Sequence, residues 1–113
     1  MSDCVFCKIA NKEIASDIVY EDEHVVAFND IHPQAPTHIL IIPRKHIVGL
    51  AEAGPEDAEL IGRLQLAAAE LARGRGVADG YRIVVNSGAL AGQSVMHLHY
   101  HLLGGRALSW PPG

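Results

Sequence analysis

The run His97-Leu98-His99-Tyr100-His101-Leu102-Leu103 alternates imidazole with large apolar side chains, and no other feature constrains this chain as tightly. Successive side chains of a strand point to opposite faces, so an extended run puts three histidines on one face, ~6.7 Å apart in succession. Leu98, Tyr100 and Leu102 then face the other way, into a core. We expect a strand over Met96 to Leu103, with His38 joining the imidazole face from a neighbouring strand.

The rest of the chain supplies partners for that strand. Ile18-Val19-Tyr20 and Val25-Val26-Ala27-Phe28 flank a polar tetrapeptide and read as a hairpin. Thr37-His38-Ile39-Leu40-Ile41-Ile42 is a β-branched run stopped by Pro43, which cannot donate to a ladder, and it is expected to be a central strand. Gly54-Pro55-Glu56-Asp57 has the chemistry of a helix start, with proline at a first helical position and two acids near the positive end of the dipole. Leu60, Ile61, Leu64, Ala68, Leu71 and Ala72 then recur at helical spacing until Gly74 and Gly76. With a further strand over Tyr81 to Asn86, the sum is an α+β fold: a mostly antiparallel sheet and one long helix. Residues 1–113 are expected to form one domain, of a size that benefits from a metal or a partner chain.

Charge narrows the function. The net charge is -4, and the basic residues are scattered apart from Arg44-Lys45 and Arg73/Arg75, so there is no stripe to bind a nucleic acid polymer. No stretch approaches the length of a membrane span, and Met1-Ser2-Asp3-Cys4 has neither a basic nor an apolar leader region, so a cytoplasmic location without membrane attachment is expected. Gly74, Gly76 and Gly80 follow a helix rather than a strand and make no dinucleotide fingerprint, and no Walker-type sequence occurs. Any phosphate site must be built differently.

Three alternating histidines suit either a catalytic metal site or an imidazole nucleophile with imidazole helpers. The preceding Gly92-Gln93-Ser94 favours the second, because it offers backbone N–H groups, an amide and a hydroxyl, the donors a phosphate oxygen needs. A neutral imidazole, abundant near pH 7, can attack phosphorus and form a nucleotidyl-histidine, while a second imidazole supplies the leaving group's proton.

Several segments together resemble the histidine triad (HIT) superfamily, and within it the Hint branch of nucleotide-binding proteins. They are Asp30-Ile31-x-Pro33-Gln34-Ala35-Pro36-Thr37-His38, Pro43-x-Lys45-His46-Ile47, Asn86-x-Gly88, the run from Ala91 through the three histidines, and the tail Trp110-Pro111-Pro112-Gly113. The resemblance covers nearly the whole chain. It implies a HIT-like fold with a five-stranded antiparallel sheet continued across a homodimer, and a purine nucleoside 5′-monophosphoramidate hydrolase of the AMP or GMP type. It implies His99 as nucleophile, His101 as a phosphate contact near the scissile bond, and His38 as an orienting or relaying group. Asn86, Gly92, Gln93 and Ser94 would frame the phosphate and Asp30 would hold the ribose. Val5, Phe6, Ile9, Ile14, Phe28 and Ile31 would form the apolar cleft for the base. The alternatives are a dinucleoside polyphosphate hydrolase or nucleotidyl transferase using the same nucleophile, and a nucleotide-binding regulatory module without a catalytic role.

Cys4-x-x-Cys7 suggests metal binding or redox work, with two reduced buried thiols as the plain alternative. The family resemblance implies a structural zinc completed by His46 and His97, and no organic cofactor. The tail would reach the partner's active site. The 49% hydrophobic composition agrees with self-association, for which Ala67, Ala68 and Ala69 on the helix and the strand Tyr81 to Asn86 are candidate surfaces.

Overall fold

The computed structural model describes residues 3–113; Met1 and Ser2, the start of the segment read above as carrying no leader, lie outside the described residues. Five strands form one antiparallel sheet: β1 (Ile18–Glu21), β2 (Val25–Asn29), β3 (Thr37–Pro43), β4 (Tyr81–Val85) and β5 (Tyr100–Gly104), in the order β1-β2-β3-β5-β4. A six-residue helix α1 (Val5–Ala10) precedes them, and the long helix α2 (Ala58–Gly74) lies between β3 and β4.

β3 is buried along its whole length, which explains its unbroken apolar run: both faces are covered. Ile39 and Ile41 face α2 and pack with Val25, Ala27, Leu98, Tyr100 and Leu102 against Leu64, Ala68 and Ala72. Leu40 and Ile42 face α1 and pack with Val26 and Phe28 against Phe6, Ile9 and Ala10. The apolar spacing of α2 is therefore its core stripe, as expected, preceded by a single 3₁₀ turn at Pro55–Asp57. It ends in a Schellman motif: the Val77 N–H donates to the Ala72 carbonyl and the Gly76 N–H to that of Arg73, with Gly76 at φ +73°. Among the described residues no helix is long and apolar enough to cross a membrane.

Three local expectations need correcting. α1 is not predicted from the sequence, although Phe6, Ile9 and Ala10 have helical spacing, because three apolar positions on a six-residue segment are too few to register as periodicity. β4 ends one residue before Asn86. The strand expected from Met96 begins only at Tyr100, so His97, in a bend, and His99 stand on the irregular segment that leads into β5. The ladder stops at the Ile41–Tyr100 pair because Pro43 has no N–H to offer, and its carbonyl is occupied by the His97 ring at 2.8 Å. Leu98 instead donates its N–H to the Ile47 carbonyl. The alternation survives without the ladder, for Leu98, Tyr100 and Leu102 are all buried on the α2 side.

Candidate active site and metal centre

His97 turns its ring away from the cleft and towards α1. Its Nε2 lies against the Pro43 carbonyl, an acceptor only, so the proton of the neutral ring sits on Nε2 and Nδ1 carries a lone pair. Burial favours that neutral form, holding His97 below the ordinary histidine value, and the Pro43 carbonyl opposes the shift in part. The Nδ1 lone pair points at Cys4 Sγ (3.3 Å), Cys7 Sγ (3.5 Å) and His46 Nδ1 (3.1 Å), and Cys7 Sγ lies 3.3 Å from His46 Nδ1. A tetrahedral ion with ordinary Zn–S and Zn–N bonds would have edges of ~3.6 Å for S···N and ~3.4 Å for N···N. The four side chains approach that tetrahedron closely, and the His97 N–H···O=C bond is the outer support that metal-bound histidines use. Cys4, Cys7, His46 and His97 therefore form a cluster able to coordinate a metal ion.

Asp30, His38 and His101 also gather ligand atoms within metal reach. Their second partners argue differently. The Gln34 N–H donates to His38 Nδ1 at 3.0 Å, so the ring proton of neutral His38 is on Nε2. A metal on Nε2 would force that proton to Nδ1, where it would face the Gln34 N–H donor against donor. The cluster is instead a hydrogen-bonded chain. His38 Nε2–H donates to His101 Nδ1 at 2.9 Å, with the Asp30 carboxylate 3.5 Å from the same nitrogen. His101 consequently carries its own proton on Nε2.

Burial is the first cause that depresses both rings. His38 is held below the ordinary value by burial, with Asp30 opposing, and His101 is lowered to about 4 by burial together with His99 and His38. Both shifts favour the uncharged ring. His99 has the opposite tautomer to His101: its Nδ1 lies 2.7 Å from the His97 backbone carbonyl, so Nδ1 donates and Nε2 keeps its lone pair. One ring thus offers an electron pair and its neighbour an N–H, with centroids 5.1 Å apart.

His99 and His101 line a cleft of about 470 Å³ whose walls include Val5, Phe6, Ile9, Ile14, Phe28, Asp30, Ile31 and Ser94. All six apolar residues singled out for a base-binding role are thus brought together, with Ile31 84% exposed at the rim. The sequence reading missed Leu40, Val95 and the segment Ala15-Ser16-Asp17, which also border it. Other expected phosphate residues stand apart. Asn86 and Gly92 do not line the cleft, and Gly92 has φ +96° at the end of a 3₁₀ turn over Ala89–Ala91. The Gln93 side chain is turned into its own loop, accepting from the Gly88 N–H and donating to the Val48 and Val95 carbonyls. Gln34 and Pro43, which fix the tautomers of His38 and His97, act through backbone atoms and leave no side-chain signal.

The sheet with its two helices and an imidazole-floored cleft define a small α+β protein of the histidine-triad class. A family model described as the HIT domain matches residues 11–108, and the chain belongs to that family. It is 54% identical over 114 residues to the 14 kDa zinc-binding protein of Zea mays, covering 99% of this chain and 89% of that protein. It is 52% identical over 111 residues to a HIT-like protein of Synechocystis, covering 98% and 97%. The crystal structure of a HIT family hydrolase from Legionella pneumophila superposes with a TM-score of 0.97 at 49% identity, covering 98% of this chain and 100% of that one. Kinship with family hydrolases and the intact triad support catalytic activity in general.

Proposed function

We propose that this protein hydrolyses purine nucleoside 5′-monophosphoramidates through a nucleotidyl-His99 intermediate, as a Hint-branch member of its family. The observation that carries the reading is the His99 Nδ1 to His97 carbonyl bond, which frees the Nε2 lone pair within the cleft. His99 Nε2 attacks the α-phosphorus as the P–N bond breaks. The amine departs with a proton from the His38–His101 pair, which an adjacent phosphoryl anion would charge against the effect of burial. The now neutral pair then takes a proton from water as its oxygen attacks phosphorus, releasing the nucleoside monophosphate and restoring both groups.

Phe6, Ile9, Ile14, Phe28 and Ile31 would hold the base, and Asp30 the ribose hydroxyls. Asp30 Oδ1 already accepts the His32 N–H, which directs the carboxylate beside the cleft. Ser94, which lines the cleft, would meet the phosphate, with Asn86, Gly92 and Gln93 shaping the loop that leads to it. Cys4, Cys7, His46 and His97 would hold a structural zinc. Residues 1–113 would act as one domain in a cytoplasmic homodimer, its sheet continued through the edge strand β4. The test is a turnover panel of adenosine and guanosine phosphoramidates, aminoacyl adenylates and diadenosine polyphosphates. Amine release from the phosphoramidates, faster than cleavage of the other substrates, is expected; preference for the polyphosphates would assign the chain to the other enzymatic branch.

A further inference from the structure

Two features at the α1 end of the sheet share residues although they serve different chemistry. His97 offers its ring to the metal-ligand cluster and its backbone carbonyl to the Nδ1 proton of His99. Phe6 lies between the two cysteines in α1, and its ring meets His99 edge-on at 5.1 Å and 89°, His97 at 6.0 Å and Phe28 at 5.4 Å. The ligand pair, Cys4 at the N-cap and Cys7 in the first turn of α1, thus brackets the Phe6 wall of the cleft.

We infer that the Cys4/Cys7/His46/His97 centre positions the reaction, its ion fixing the ring of His99 through His97 and setting the Phe6 wall of the cleft. The inference rests on the proposed function for which groups react. A six-residue helix does not hold its shape by its own hydrogen bonds. Besides the core packing of Phe6, Ile9 and Ala10, α1 is tied at its far end by Arg44, whose Nη1 donates to the Ala10 carbonyl at 2.8 Å, and at its near end by the cluster. Without an ion, only weak thiol hydrogen bonds, at 3.3 Å from Cys4 and 3.5 Å from Cys7, join the His97 Nδ1 lone pair to α1. An ion held by the four side chains would join the first turn of α1 to the segment that carries the nucleophile. In-line attack at phosphorus depends on sub-ångström placement of the attacking nitrogen, so the gain falls on chemistry as well as on binding.

The test compares zinc-loaded protein, chelator-stripped protein, His46→Ala and His46→Cys. His46 is exposed, so its replacement disturbs the core least, and cysteine there restores a four-ligand set. AMP affinity is measured by calorimetry, and the Nδ1 proton of His99 by imidazole NMR. Stripped protein and His46→Ala are expected to stay folded, to bind AMP about tenfold more weakly, to lose more in kcat than KM accounts for, and to lose the protected Nδ1 proton. His46→Cys should recover all of these. Unchanged AMP affinity and an unchanged Nδ1 resonance in the metal-poor forms would overturn the inference, as would unfolding of every metal-poor form, which makes the centre a fold element alone. If loaded wild type binds no AMP, the proposed function fails, and the imidazole resonance then decides the inference by itself.

Discussion

His38 Nε2 lies 2.9 Å from His101 Nδ1, at the end of a hydrogen-bonded chain that starts at the Gln34 N–H and leaves His101 with its proton on Nε2. His101→Ala removes that donor and should lower kcat by roughly 10²- to 10⁴-fold, the usual range for a positioned acid or base. His38→Ala, which frees the His101 ring to turn, should cost less. Steady-state kinetics on an adenosine phosphoramidate measures both; a larger loss for His38 would reverse their roles.

His99→Ala should abolish turnover while nucleotide binding largely persists, because binding is spread over the cleft and nucleophilicity sits on one nitrogen. Calorimetry with AMP on the inactive variant checks the second half. Wild-type turnover in the variant would rule His99 out as nucleophile.

Stability should fall on acidification between pH ~6.5 and about 4. His38, His97 and His101 are depressed in the folded state, so over this window the unfolded chain binds more protons than the folded one. The sign follows directly: unfolding takes up protons, so the stability present above the unfolded value is lost as pH drops towards the folded value. Thermal melts in metal-free buffer should show a falling Tm across the window, and His101→Phe should flatten the dependence.

Protein purified without chelator should contain one zinc per chain, and Cys4→Ser with Cys7→Ser should lose it together with at least ~10 °C of Tm, as for a folding-linked metal. Elemental analysis and melting curves test the two halves separately. Zinc-free wild-type protein would remove the assignment.

The tail should bear on leaving-group choice in a dimer. Arg82 in the edge strand donates to the Ser109 carbonyl at 2.8 Å and lies 5.9 Å over the Trp110 ring, which is 79% exposed. An exposed indole anchored beside an edge strand suits a second chain. Sedimentation at micromolar concentration should give a dimer, and deleting residues 109–113 should change the preference among amines while sparing zinc content. A monomer, or unchanged preference, would count against this arrangement.

The alternating histidines, the β-branched run before Pro43 and the apolar spacing from Leu60 to Ala72 determined by themselves the sheet, the long helix and the shared face of His99 and His101. Those features depend on side-chain period, which the sequence states outright. The Cys4-x-x-Cys7 spacing by itself suggested metal or redox work, but its completion by His46 and His97 was legible only by family resemblance, since Cys7 and His97 are 90 residues apart and nothing local links them. Tertiary structure alone decided that the strand stops short of His99, where Pro43 cannot extend the ladder and spends its carbonyl on His97. It likewise decided which nitrogen of each histidine holds the proton. That choice belongs to the backbone groups of Gln34, Pro43 and His97, which every residue carries alike and which acquire direction only when the chain is folded.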